Sequence, residues 1–215
     1  MLEYAVLEGG PFLENTYIVH DDSRECIIID PGCSNTEEQK RLLDYIEVKC
    51  LKPTRLINTH CHIDHVLGNH FVAKRFGLVP EYHNLESIVM DSCEMVAAQY
   101  HIPYTPSPKA ESFLEVPGKI SFGNTELDLL FTPGHSPGSV SLVSYEHKLI
   151  FAGDVLFRDS IGRYDLPGGN FDTLKQSILN ELYTLDDDFR VLPGHGPETS
   201  IGYEKKNNPF VSVID

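Results

Sequence analysis

Thr59-His60-Cys61-His62-Ile63-Asp64-His65 packs three imidazoles and a carboxylate into the short run from His60 to His65. The preceding segment Arg55 to Thr59 reads as a strand, and helical patterning runs from about Asp64 to Phe76. The cluster therefore stands at the carboxyl end of a strand, where α/β sheets place their ligands, and core packing does not account for such a density of histidine. In an extended or turning segment alternate residues point the same way. His60 and His62 can then grip one metal ion while Asp64 and His65, entering the next helix, face a second position. The same alternation turns Cys61 away and makes it a small buried residue. Asp64 also suits a first helical turn, where the helix dipole favours a carboxylate, but the three histidines around it favour the ligand reading.

Upstream, Cys26 to Asp30 is a compact β-branched strand ending in the turn Asp30-Pro31-Gly32, and Ser34 or Asn35 can cap a helix carrying Leu42, Leu43, Ile46 and Val48. Residues 4–8 and 15–20 supply an antiparallel start to the same sheet. Downstream, helical patterning returns from about Asn84 to Tyr100. Glu126 to Thr132, Ser139 to Tyr145 and Lys148 to Ala152 read as closely spaced strands, Phe171 to Leu185 as an amphipathic helix, and Arg190 to Leu192 as a last strand. His101 to Gly118, with Pro103, Pro106, Pro108 and Pro117, shows neither period and reads as a long surface loop. A four-layer α/β sandwich would bury runs such as Ile27 to Ile29 on both faces.

The chain has 215 residues, 41% hydrophobic and 23% charged, enough for one sizeable core and too few for two full enzymatic domains. No stretch approaches the roughly 18 apolar residues of a membrane span. Met1 to Pro11 carries Glu3 and Glu8 where a signal peptide needs a basic start and an apolar run. The expectation is a cytoplasmic protein without membrane contacts. Asp+Glu 32 against Lys+Arg 17 gives a formal charge of -15, which repels polyanions and points to small-molecule partners, not nucleic acid. The five cysteines, Cys26, Cys33, Cys50, Cys61 and Cys93, form no C-x-x-C pair and suggest neither a disulfide framework nor a thiolate zinc site.

Pro133-Gly134-His135-Ser136-Pro137-Gly138, Ala152-Gly153-Asp154 and Pro193-Gly194-His195-Gly196-Pro197 each follow an apolar strand and carry one ligand-type residue in a Gly-rich loop. With the first cluster they complete a set of five histidines and two aspartates.

This set resembles the metallo-β-lactamase superfamily, whose signature H-x-H-x-D-H followed by separate His, Asp and His is matched by His60, His62, Asp64, His65, His135, Asp154 and His195. The Asp30-Pro31-Gly32 turn fits as well. The resemblance implies a four-layer αββα sandwich, a single hydrolase domain over residues 1–215 and a site at one edge of the two sheets. Ser160 to Gly169, Leu192 to Thr199 and Asn208-Pro209-Phe210 are similar to the short, single-domain glyoxalase II-like hydrolases.

By that resemblance His60, His62 and His135 would hold one divalent ion, Asp64, His65 and His195 the other, and Asp154 would bridge them. Seven N/O ligands without thiolate suit zinc, iron or manganese, zinc being the first expectation. A water between two such ions is acidified to hydroxide near neutrality. The implied reaction is hydrolysis of a thioester, S-lactoylglutathione or a related hydroxyacylglutathione, with Asp64 orienting the hydroxide. A thiolate leaves without a protonated acid, which agrees with the lack of a G-x-S-x-G motif. Arg163 falls where those enzymes place a basic glutathione contact, and Asp165 near where they use an aromatic hydroxyl. The rival is a persulfide dioxygenase-like oxidoreductase with a single iron on the equivalents of His60, His135 and Asp154. β-Lactamase activity is disfavoured, because those enzymes generally lack an aspartate at the position of Asp154.

Overall fold

The computed structural model describes residues Met1–Val213. The chain forms two compact units, Met1–Leu114 with Ser121–Glu126, and Glu115–Ile120 with the residues from Leu127 onward.

In the first unit, β1 (Glu3–Gly9), β2 (Glu14–His20), β3 (Glu25–Ile29), β4 (Lys52–Ile57), β5 (Pro80–His83) and β6 (Phe113–Leu114) form a sheet in sequence order. β1 to β3 run antiparallel, with Val6 opposite Tyr17 and Ile18 opposite Ile28, and the pairings from β3 to β6 are parallel. Ile27, Ile28 and Ile29 alternate in direction yet are all fully buried, as a strand covered on both faces requires. Helix α1 (Thr36–Val48) starts at Asn35, whose Oδ1 accepts the N–H groups of Glu37 and Glu38 at 3.0 and 3.1 Å. One turn apart, Leu42 and Ile46 lie in one apolar cluster with Ile18, Ile28, Leu56 and Val72.

The helix expected from Asp64 to Phe76 is two helices, α2 (Ile63–Val66) and α3 (Asn69–Phe76). Gly68 explains the break: its N–H donates to the Pro31 carbonyl at 2.7 Å, and a Cβ there would meet Cys33 Sγ at 2.5 Å. The Asp30-Pro31-Gly32 turn is thereby seated on the helix junction that carries the ligand segment. The stretch from Asn84 begins as a single 3₁₀ turn (Asn84–Glu86) before α4 (Ser87–Tyr100). The loop expected from His101 to Gly118 is interrupted by β6, with Tyr82 opposite Phe113 and His83 opposite Leu114, and ends as β7 begins. A two-residue strand carries no readable period, so its pairing is set by β5 alone.

The second sheet is built from β7 (Gly118–Phe122), β8 (Thr125–Phe131), β9 (Val140–Ser144), β10 (Leu149–Gly153), β13 (Arg190–Pro193) and β14 (Thr199–Ser200), in the order β14-β13-β10-β9-β8-β7. β11 (Leu156–Phe157) and β12 (Ser160–Ile161) form a small hairpin. Helix α5 (Phe171–Ser177) is shorter than the expected Phe171 to Leu185 and continues as one π-helical turn to Leu182. Its Leu174, followed by Ile178 and Leu182, clusters with Val143, Ile150 and Ala152 of the sheet and with Ile201 of α6 (Ile201–Asn207). Buried Glu204 on α6 accepts the Asp159 N–H and the Asn208 amide, which ties the turn of the β11–β12 hairpin in place. Among the described residues no helix is long and apolar enough to cross a membrane.

Candidate metal centre

Each unit carries part of the expected ligand set. In the first, the chain leaves β4 at Ile57 and turns through Asn58 and Thr59 into the histidine segment. His60 and His65 are fully buried, and the His60 ring centroid lies 4.8 Å from that of His62 and 4.1 Å from that of His65. Asp64 stands in the first turn of α2, its Oδ2 3.9 Å from His65 Nε2.

Asp30 organises this half. Its Oδ1 accepts the Thr59 N–H at 2.7 Å, its Oδ2 accepts the Thr59 hydroxyl at 2.5 Å, and the same Oδ2 lies 3.1 Å from His65 Nδ1. A carboxylate against Nδ1 favours the proton there and leaves the Nε2 lone pair for a metal, the usual support of a ligating histidine. The Asn58 amide donates to the His65 carbonyl at 3.0 Å and fixes the other side of the residue. Behind them Glu14 is fully buried, with Oε1 4.0 Å from His65 Nδ1, and burial drives its carboxyl well above the usual range. Cys61 is buried in an apolar cluster with Val66, Tyr82, Met90 and Ala97, and burial pushes its thiol far up, which disfavours the thiolate a metal would need.

In the second unit, β10 and β13 are parallel neighbours with Gly153 opposite Pro193, and the Gly194 N–H donates to the Gly153 carbonyl at 2.8 Å. Asp154 and His195 therefore emerge side by side. His135 comes from the loop between β8 and β9. Asp154 Oδ2 lies 3.5 Å from His135 Nε2 and 3.5 Å from His195 Nε2. His135 Nδ1 sits 2.7 Å from the Arg163 carbonyl, an acceptor that directs the ring proton to Nδ1 and again leaves Nε2 for a ligand role. Gly162 makes this approach possible, since a Cβ there would overlap the Asp154 carbonyl and stand 3.1 Å from His135 Cβ.

The donors fit divalent ions. Two ligand atoms about 2.0–2.1 Å from one tetrahedral ion lie roughly 3.3–3.4 Å apart, close to the 3.5 Å from Asp154 Oδ2 to each imidazole nitrogen. The chain matches the model of the metallo-beta-lactamase superfamily over residues 9–195. It belongs to that superfamily. Among the superfamily proteins similar to it is the hydroxyacylglutathione hydrolase GloC of Haemophilus influenzae, 34% identical over 203 residues that cover 94% of both chains. Among solved structures, the BLEG-1 B3 metallo-beta-lactamase is 32% identical with a TM-score of 0.89, covering 98% of this chain and all of that one. TTHA1623 in a di-iron-bound form is 34% identical with a TM-score of 0.86, covering 96% of this chain and all of that one. The α/β fold is that of the metallo-β-lactamase superfamily, and the chain is a metallo-hydrolase of it.

Superfamily membership does not assign Arg163 a task. Its Nε and one Nη donate to the two carboxylate oxygens of Asp165, both at 3.0 Å, on an exposed surface, and this pairing holds the Asp165 carboxyl below its usual range. The backbone of Arg163, through His135, bears more directly on the superfamily ligands than its guanidinium does. Asp30 was visible in the sequence only as a turn residue, and Glu14 and Asn58 not at all. A signal was available in principle, because buried histidines need acceptors or donors on their second nitrogen and their backbone.

Proposed function

We propose that this chain hydrolyses glutathione thioesters, S-lactoylglutathione or a related hydroxyacylglutathione, with two divalent ions, zinc foremost. In this reading His60, His62 and His135 hold one ion, Asp64, His65 and His195 the other, and Asp154 serves both. The observation that carries it is that Asp154 Oδ2 is equally distant, at 3.5 Å, from His135 Nε2 and His195 Nε2, which supports one oxygen serving both ligand sets. When bound, two such ions acidify a water to near neutrality and polarise an acyl carbonyl. Asp64 orients the attacking water, and Arg163 receives a glutathione carboxylate in competition with Asp165. The departing thiolate needs no acid from the chain. The name of the Haemophilus relative supports the substrate class.

A single-iron oxygenase resting on His60, His135 and Asp154 would leave His65 without a task. The Asp30 carboxylate against His65 Nδ1 speaks for employing it. The similarity to BLEG-1 makes a lactam amide the other substrate to test. The purified protein is assayed with S-lactoylglutathione, with glutathione persulfide in an oxygen electrode, and with a β-lactam. Thioester hydrolysis without oxygen uptake supports the proposal. Oxygen uptake with the persulfide, or faster turnover of the lactam, overturns it.

A further inference from the structure

The backbone of the residue between His60 and His62 is held on both of its polar groups, by α4 and by the 3₁₀ turn that leads into it. The Cys61 N–H donates to Glu86 Oε2 at 2.7 Å, and Cys93 Sγ donates to the Cys61 carbonyl at 3.3 Å. Glu86 closes the 3₁₀ turn that leads into α4, Cys93 lies two turns further on, and neither side chain reaches solvent. Two residues back, the Thr59 N–H is held by Asp30 Oδ1 at 2.7 Å. Two buried carboxylates from different parts of the first unit therefore grip alternate N–H groups, those of Thr59 and Cys61, on either side of His60. Held on both sides, the backbone that presents His60, and His62 just beyond Cys61, is fixed through the turn that follows β4. A fully buried carboxylate is costly to keep in an apolar cluster unless it is hydrogen-bonded. An apolar residue at the same buried position would leave the Cys61 N–H without this acceptor.

We propose that Glu86 is a positioning residue for the His60/His62 pair: its hydrogen bond to the Cys61 N–H holds the two imidazoles at the separation a metal ion requires. The inference rests on the reading of His60 and His62 as ligands. Nothing in it requires Glu86 to touch the ion or the substrate.

The test uses the full-length protein with Glu86→Leu, which removes the acceptor, and Glu86→Gln, which keeps one. Three quantities are read for each: zinc affinity by chelator competition, the visible spectrum of the cobalt(II)-loaded protein, and hydrogen exchange at the Cys61 amide without metal. Glu86→Leu is expected to lose zinc affinity by about ten- to a hundredfold, as supporting residues of metal ligands do, with an altered cobalt spectrum and a deprotected Cys61 amide. Glu86→Gln is expected to restore affinity to within about threefold of the parent, a difference of under 1 kcal/mol, together with the parent spectrum. If Glu86→Leu does not fold, a Glu86→Gln variant that folds yet binds as weakly as a ligand variant overturns the hydrogen-bond role. So does a folded Glu86→Leu variant with parental affinity and spectrum. A parent protein that takes up no metal overturns the proposed function and this role together. A parent that binds zinc while its Cys61 amide exchanges freely overturns the role of Glu86 alone.

Discussion

Asp30 Oδ2 stands 3.1 Å from His65 Nδ1 while the other oxygen of the same carboxylate holds the Thr59 backbone, so one buried residue sets both ends of the ligand segment. Asp30→Asn replaces an acceptor by an amide that can present a donor to Nδ1 and unsettle the tautomer. It is expected to lower metal affinity by about ten- to a hundredfold with the secondary structure intact. Chelator competition and far-UV circular dichroism check this, and unchanged affinity contradicts it.

Cys61 points into the apolar cluster beside α4, and its buried thiol resists ionisation. Cys61→Ser should therefore keep its metal and most of its turnover. Loss of metal in this variant would show that the alternation argument fails.

Arg163 and Asp165 form a two-pronged pair at the surface, so in the proposed function a substrate carboxylate would have to draw the guanidinium from an existing partner. A hydrogen bond to a charged group contributes about 1.5–3 kcal/mol. Arg163→Met should raise KM for glutathione thioesters by about one to two orders of magnitude, with kcat and metal content little changed, the mark of lost uniform binding. A small thioester without carboxylates should be unaffected. Equal losses on both substrates would make the Arg163–Asp165 pair structural.

Stability has its own pH signature at Asp21. Burial acts to raise its pKa, but the Ser23 N–H and hydroxyl, the Thr125 hydroxyl and the Asn124 N–H all donate to it and hold it below the usual value. A folded pKa below the unfolded one, about 3.9, gives stability that is present above that value and lost as pH falls through the folded pKa. Asp21→Ala should lower the melting temperature at about pH 7, and its gap to the parent should narrow below about pH 4. A gap that widens on acidification contradicts the assignment.

What the sequence showed plainly was what repeats locally or clusters along the chain. The β-branched run before Asp30, the Ser34-Asn35 cap site, which the structure resolves to Asn35, and the dense histidine segment each lie within a few residues and need no tertiary partner to be noticed. The break at Gly68 was hidden, because it arises from Pro31 approaching from another part of the unit. β6 and the π-helical end of α5 were hidden for the same reason, each being set by what it packs against. The supporting groups Asp30, Glu14, Glu86 and the Arg163 carbonyl act through a few hydrogen bonds or close approaches between segments far apart in sequence. Composition and period carry no trace of them. The proposed metal ligands announce themselves by residue type, whereas the atoms that would aim them do not.

The central claim is that Asp154 is shared by two ions, and the most direct measurement is the metal content per chain of the parent and of Asp154→Ala after loading with zinc and removal of excess. The account predicts two ions in the parent and less than one in the variant, which should still fold because Asp154 lies in a loop at a strand end. A variant that retains two ions, or a parent that saturates at one, contradicts it.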